Sequence, residues 1–247
     1  MLVEDIRNTF LNEYKNGRFT TDKTGAKTIE IIGASFIADE NAIFGKPNQE
    51  YIDAEIQWYN SKSTNIETLA KFYGKKPAAW AYSANAHGEI NSNYGTLIFS
   101  PEYNEQYNNA LSELVKNPDS RRAAMIYNRP SIWVDYNAQN KNDFICTNAV
   151  TYYIRDNQLH CVVQMRSNDC WAGYRNDYAW QLYILQRLVT DINYCNIDNP
   201  TLTLGNIYWQ VQNLHCYERN FYLLDHYDKT GEIHISKSDY VKKYENI

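Results

Sequence analysis

The chain reads as an α+β fold: helices packed on a large mixed or antiparallel sheet, in one domain spanning all 247 residues. Three observations carry this reading. Segments with apolar residues at helical spacing are interleaved with segments rich in β-branched and aromatic residues. Two of the strand-like segments, 144–154 and 159–165, are close enough to form a hairpin through Arg155-Asp156-Asn157-Gln158. No internal repeat, low-complexity tract or Pro/Ser-rich linker interrupts the sequence.

Taken in order, Val3–Lys15 places Ile6, Phe10, Leu11 and Tyr14 on one helical face and stops before Gly17. Residues 27–38 are strand-like, and Gly33 in their interior predicts a bulge or a close backbone approach. Residues 51–60 and 104–116 read as helices, the second through Leu111, Leu114 and Val115. A short strand at 123–127 precedes the hairpin. Residues 176–191 form the most apolar helix, with Trp180, Leu182, Ile184, Leu185, Leu188 and Val189 covering much of its circumference, which places it centrally. Residues 201–212 are strand-like and 218–227 helical.

Composition limits the functional classes. A chain this long buries roughly 70–75% of its unfolded surface. Its net charge of −5, with no block of Lys or Arg, argues against general nucleic-acid binding. No apolar run approaches the ~20 residues of a membrane span, and the N-terminus lacks a signal pattern, so a cytoplasmic location is expected. Five cysteines at unpaired spacings predict free thiols, and the absence of CxxC or HxxxH predicts no metal site.

The chemistry-bearing residues concentrate between Phe144 and Asp177. Cys146 sits in Cys146-Thr147-Asn148, and about twenty residues later come Arg166-Ser167-Asn168-Asp169, Gly173 and Asp177. This supplies a thiol, an anion-binding pair and two carboxylates on a hairpin and the start of the next helix. A free thiol titrates near ~8.5, so a catalytic one needs a cationic neighbour. Arg166 provides it if the strands carrying Cys146 and Arg166 lie side by side. Taken alone, Cys146 reads first as one more buried small hydrophobe, and the residues around it reverse that reading.

Phe144-x-Cys146-Thr147-Asn148, Arg166-Ser167-x-Asp169-x3-Gly173 and Leu214-His215-x-Tyr217 together resemble the thymidylate synthase family. Asp22-Lys23-Thr24-Gly25 is similar to its N-terminal phosphate loop and Glu55 with Trp58-Tyr59 to its catalytic-glutamate helix. Asn93-Tyr94-Gly95 resembles its active-site tyrosine and Ser120-Arg121-Arg122 its double-arginine motif. The segments 22–33, 88–95, 117–122 and 175–180 resemble, more narrowly, the branch of that family that hydroxymethylates deoxycytidylate in T-even phages.

The resemblance implies dCMP as substrate, 5,10-methylenetetrahydrofolate as one-carbon donor and no metal. It implies a homodimer formed through the back of the sheet, with Arg121 and Arg122 completing the partner's site. Cys146 is then the nucleophile, Glu55 the acid/base carboxylate and Tyr94 an aid to proton removal. Arg166, Ser167 and one of Lys23 and Lys27 bind phosphate, and His215 and Tyr217 the sugar hydroxyl. Asp169, Gly173 and Trp80 face the folate, with Trp80 near Asp169. Asp177 replaces an asparagine that complements uracil; a carboxyl accepts from cytosine's amine and, protonated, donates to its ring nitrogen. A cap for the helix beginning nearby is a compatible second role for it. The alternatives are methylation of a deoxypyrimidine monophosphate, or a non-catalytic role in RNA binding or assembly. Association with other phage nucleotide-synthesis enzymes of the host cytoplasm is a further expectation.

Overall fold

A computed structural model of the chain describes residues 1–22, 24–196 and 201–245. In chain order the elements are α1 (Val3–Lys15), β1 (Thr20–Thr21), β2 (Lys27–Ile37), α2 (Gln49–Ser61), α3 (Ile66–Tyr73), α4 (Ala78–Ser83), α5 (Tyr94–Phe99) and α6 (Gln106–Lys116). They continue as β3 (Ala124–Ile126), α7 (Ile132–Asp135), β4 (Thr147–Arg155), β5 (Gln158–Met165), β6 (Asn168–Asp169), α8 (Ala172–Cys195), β7 (Thr203–Tyr217), α9 (Phe221–Thr230) and α10 (Lys237–Tyr240). The elements fall into two compact units. One comprises Met1–Pro47, Arg166–Ala179 and Tyr208–Ile247, the other Asn48–Met165 and Trp180–Ile207. Both α8 and β7 contribute residues to each.

The first unit holds a mixed sheet. β1 and β7 both pair antiparallel with β2, and the two-residue β6 lies parallel to β7, with Asn168 opposite Leu214 and Asp169 opposite His215. Val3, Ile6 and Phe10 of α1, Ile29 and Phe36 of β2, and Trp209 and Leu214 of β7 are buried. Arg7 is buried among them. It grips both oxygens of Glu40, at 2.8 and 2.5 Å, and donates to the carbonyls of Ile43 and Ala42, so four of its five N–H groups are hydrogen-bonded.

Gly33 does not make the bulge or close approach that its place in a strand suggests. The pairing sits in the same register on both sides of it, Ile32 with Asn213 and Ala34 with Val211, and no atom lies within 4 Å of where its Cβ would be. Its backbone instead turns to φ +73°, a left-handed value that glycine adopts without penalty. The alternation of inward side chains shifts there on both strands. On β7, Ile207, Trp209 and Val211 are buried before it and Leu214 and Cys216 after it. The strand therefore continues to Tyr217, although its two-residue pattern ends near residue 212.

The second unit holds an antiparallel sheet of β3, β4 and β5. The expected hairpin is present, closed by Asp156 and Asn157, both at positive φ, as a tight two-residue turn requires. Thr147 pairs with Met165 but Ala149 pairs with Gln164, so Asn148 is an extra residue in a β-bulge. Its carbonyl accepts from the backbone N–H of both Tyr127 and Asn128. Trp180, Ile184, Leu185 and Leu188 of α8 are buried, in keeping with the apolar pattern of that helix.

α2 and α5 pack closely, and Asn93 and Gly95 are the reason. Asn93 is fully buried; it caps α5 by accepting from Thr96 N and donates to the carbonyls of Trp58 and Ser63. A Cβ at Gly95 would lie 1.8 Å from the carbonyl oxygen of Tyr59, which is backbone and cannot step aside. Gly95→Ala should therefore cost more than about 2 kcal/mol of unfolding free energy. Urea titration of the two proteins at one concentration measures this, and an unchanged midpoint would contradict the close approach.

Candidate active site

The residues expected to act on the nucleotide fall into two groups, one in each unit. In the second unit, Glu55 lies on α2 and is 5% exposed. Tyr51, one turn earlier, donates its hydroxyl to Glu55 Oε1 at 2.5 Å. Trp80 of α4 donates its indole N–H to the Tyr51 hydroxyl at 2.8 Å and to Glu55 Oε1 at 3.2 Å. Trp80 is thus a hydrogen-bond partner of the glutamate. Burial outweighs the two donated bonds and pushes the Glu55 carboxyl up to about 7, near the value at which one group both gives and takes a proton at neutrality.

From Trp80 a run of rings leads inward. Trp58 meets Trp80 edge-on at 5.0 Å and stacks on Tyr59, and Tyr59 stacks on Tyr94 at 5.3 Å. The Tyr94 hydroxyl receives the Thr147 hydroxyl proton at 3.0 Å. Thr147 opens β4, directly after the half-buried Cys146, and the bulge at Asn148 follows. Buried Asp143 steadies the approach to Tyr94, accepting from the backbone N–H of Asn91 and Ser92 and from the Ser92 hydroxyl. Arg121 and Arg122 are exposed after α6, and Arg122 Nε donates to Glu113 at 2.9 Å.

In the first unit, residues 166–170 run along β7. Arg166 O accepts from Asn213 N, and Cys170 N donates to His215 O. Arg166 and Ser167 are half-buried at the head of this segment. The Asp169 carboxylate accepts from the backbone N–H of Trp171, Ala172 and Gly173, at 3.1, 2.9 and 3.2 Å, and so caps α8. This corrects the expected start of that helix, which is Ala172 rather than residue 176, and it removes Asp177 as its cap. Asp177 lies in the second turn, where its Oδ2 accepts from Asn168 Nδ2 at 2.8 Å. His215 and Tyr217 meet edge-on at 4.9 Å. Burial lowers the His215 imidazole, favouring the neutral ring, which both donates to and accepts from a hydroxyl.

Of the two lysines considered for phosphate, Lys23 lies outside the described residues. Lys27 is exposed, 3.7 Å from Glu218 and over the Phe19 ring. The loop between them is shaped by Asp22, whose Oδ1 accepts from the backbone N–H of Thr24 and Ala26. Among the described residues, no three His, Cys, Asp or Glu side chains are grouped to hold a metal ion. None of the helices there is long and apolar enough to cross a membrane.

Two participants carried no assigned role in the sequence reading. Tyr51 stands four residues before Glu55 on one helix, a spacing that puts both on the same face. Asn168 occupies the unspecified place in Arg166-Ser167-x-Asp169 and is buried between strand and helix. Because the folded-state value of Glu55 is raised, the neutral acid is favoured in the fold. That contribution is complete below about 4.5 and is lost as pH rises to about 7. Wild type should lose on the order of 3 kcal/mol relative to Glu55→Gln between pH 5 and pH 8. Urea unfolding at the two pH values tests this; parallel pH dependences would mean that the carboxyl is not held in a dry site.

The thymidylate synthase family model matches residues 8–238. A protein of Enterobacteria phage T4 named deoxycytidylate 5-hydroxymethyltransferase is 52% identical over 244 residues, covering 99% of this chain and 98% of that one. Its namesake in Enterobacteria phage T2 is 51% identical over 240 residues, covering 97% and 96%. A thymidylate synthase of Buchnera aphidicola is 26% identical over 217 residues, covering 84% and 76%. With a near-complete match to the family and its motifs in place on these elements, the chain belongs to the thymidylate synthase family.

Proposed function

We propose that the chain converts dCMP, 5,10-methylenetetrahydrofolate and water to 5-hydroxymethyl-dCMP and tetrahydrofolate. The observation that carries this reading is the 52% identity, over nearly the whole of both chains, to the phage T4 protein named for that transfer. The chemistry of the residues supports it. Carbon 5 of a pyrimidine is too weak a nucleophile to take a one-carbon unit directly. Addition of the Cys146 thiolate at carbon 6 makes carbon 5 enamine-like, and expulsion of the thiolate at the end restores the ring. The folate supplies the methylene and departs as tetrahydrofolate.

Each other residue has work suited to its surroundings. Glu55, poised near neutrality, transfers protons and orients the water that completes the hydroxymethyl group. Tyr94, its hydroxyl in a chain with Thr147, assists removal of the carbon-5 proton. Arg166 and Ser167 bind the phosphate with a lysine of the N-terminal loop, Lys23 or Lys27. Guanidinium groups suit phosphate because they donate two parallel bonds. His215 and Tyr217 take the sugar hydroxyl, and Asp177 reads the cytosine edge.

The folate side fits the residues present. A carboxylate has about four acceptor sites, and Asp169 spends three on the amides of α8, which leaves capacity for a pterin N–H. Gly173 lies in the turn that Asp169 holds, and Trp80 shares the Glu55 carboxylate. A second copy of the chain supplies Arg121 and Arg122, consistent with their exposure. The cytoplasm of an infected host, where dCMP and reduced folate are both available, is the setting this reaction requires.

Mass spectrometry of the nucleotide after incubation with dCMP and methylenetetrahydrofolate decides the reaction. A gain of CH2O is expected; a gain of CH2 would mean methylation, and no gain a non-catalytic role. Cys146→Ser should retain nucleotide binding and less than about 1% of turnover, a barrier increase of at least roughly 2.7 kcal/mol. Mixing Cys146→Ser subunits with Arg122→Ala subunits should restore part of the activity. The arginine mutant keeps its own thiol and receives Arg122 from its partner. Demonstrated heterodimers without activity would refute the shared site.

Asp177→Asn should lower dCMP turnover at least about tenfold and raise turnover of dUMP, because hydrogen-bonded recognition discriminates steeply. The ratio of kcat/KM for the two nucleotides measures it. An unchanged ratio would remove Asp177 from base recognition.

A further inference from the structure

We propose that Arg219 is a further binding residue for the phosphate of dCMP, set beside the pair that takes the sugar hydroxyl. The inference rests on the reading of His215 and Tyr217 as facing the nucleotide, and every residue that carries it belongs to the first unit. Arg219 follows β7 by two residues, in the helical turn Glu218–Asn220, and is exposed. Its guanidinium lies over the Tyr217 ring, 4.2 Å from the centroid. Tyr217 meets His215 edge-on, so guanidinium, phenol and imidazole are in successive contact. A guanidinium stacked on a ring directs its N–H groups outward in its own plane, where a phosphate can take two of them. Among the described residues no acceptor holds those N–H groups, whereas Arg7, Arg18 and Lys27 of the same unit each have a carboxylate partner.

The charges nearby explain why a further cation is needed. His215 stands between two carboxylate residues on its rung of the sheet, Glu30 of β2 on one side and Asp169 of β6 on the other. A dianionic phosphate approaching that face is repelled by both. Lys27 is already engaged by Glu218 at 3.7 Å. The charge of Arg219 is felt at His215. After burial, which is the main cause, it also favours the neutral imidazole, against the pull of Asp169 and Glu30. The position along the strands suits a phosphate as well. Thr28 pairs with Tyr217, so the N-terminal loop with its two lysines leaves β2 at the end of the sheet where Arg219 leaves β7. Arg166, whose carbonyl accepts from Asn213 N, joins β7 four residues before Tyr217. Asn213, His215 and Tyr217 alternate onto one face, and the two arginines bracket it.

Calorimetric titration with dCMP on the Cys146→Ser background, with inorganic phosphate as competitor, separates contact with phosphate from support of the Tyr217 ring. Arg219→Gln should raise the Kd of dCMP at least about tenfold. It should raise the inhibition constant of inorganic phosphate by a similar factor, since both ligands lose the same charged hydrogen bonds. Arg219→Lys keeps the charge without the two-pronged donor and should raise both constants roughly three- to fivefold. Weakened dCMP with an unchanged phosphate constant would mean that the guanidinium only supports the ring or meets the sugar, and would overturn the proposal. So would dCMP binding within twofold of the parent in both variants, provided that His215→Ala weakens it. Unchanged dCMP binding in His215→Ala as well as in Arg219→Gln would overturn the reading of that face as the nucleotide's.

Discussion

The grip of the Asp169 carboxylate on three successive amides is the constraint from which the first unit's candidate site residues take their places. The start of a helix presents N–H groups without internal partners and a partial positive charge, and a carboxylate there satisfies both. Because Asp169 belongs to a strand residue pair laid along β7, the same contact fixes α8 to that strand. Asn168, one residue before it, is thereby held buried, and Asp177, eight residues after it, is brought round on the second turn to meet it. His215 is its partner across the ladder. A side chain expected to serve the folate is also the fastening that makes the neighbouring site possible.

In the second unit the corresponding constraint is dryness. Glu55 is kept close to neutral pKa because helix, indole and tyrosine rings exclude water from it, while two donated hydrogen bonds keep it from being pushed higher. The aromatic run from Trp80 to Tyr94 gives these residues little freedom to reorient, so proton transfer would occur among groups already placed. Such preorganisation is worth more in a site of low polarity than in water, where the solvent would have to reorganise first.

The sequence made the amphipathic and turn-bounded parts of the fold legible and concealed what depends on pairing at a distance. α1, the hairpin and the buried stripe of α8 each carry a periodicity longer than one turn or a turn of defined chemistry. α3, with eight residues, and α4 and α5, with six each, are too short to show a period. The alternation of β7 is legible only to residue 212, where it shifts. The first four residues of α8 are not legible because its cap sits on the preceding strand pair. In the site, residues named by motif could be listed, but their partners could not. Tyr51, Thr147 and Asn168 matter through hydrogen bonds to residues that motif spacing does not connect, and buried Arg7 looks like any charged helical residue until Glu40 is found beside it.

The left-handed turn at Gly33 bears on how this sequence can change over time. Two strands shift their inward alternation at the same rung, so each depends on the other for the shift to be harmless. Deleting one residue at the kink would restore plain alternation to β2 alone. It would leave β7, with His215 and Tyr217 beyond the rung, facing a neighbour of the opposite phase. Gains and losses of residues here must therefore arrive as matched events on both strands. The surrounding space is open to larger side chains, yet the backbone angle admits almost none. This stretch is expected to drift freely in side-chain chemistry while its length and its glycine stay fixed, a pattern set by handedness rather than by crowding.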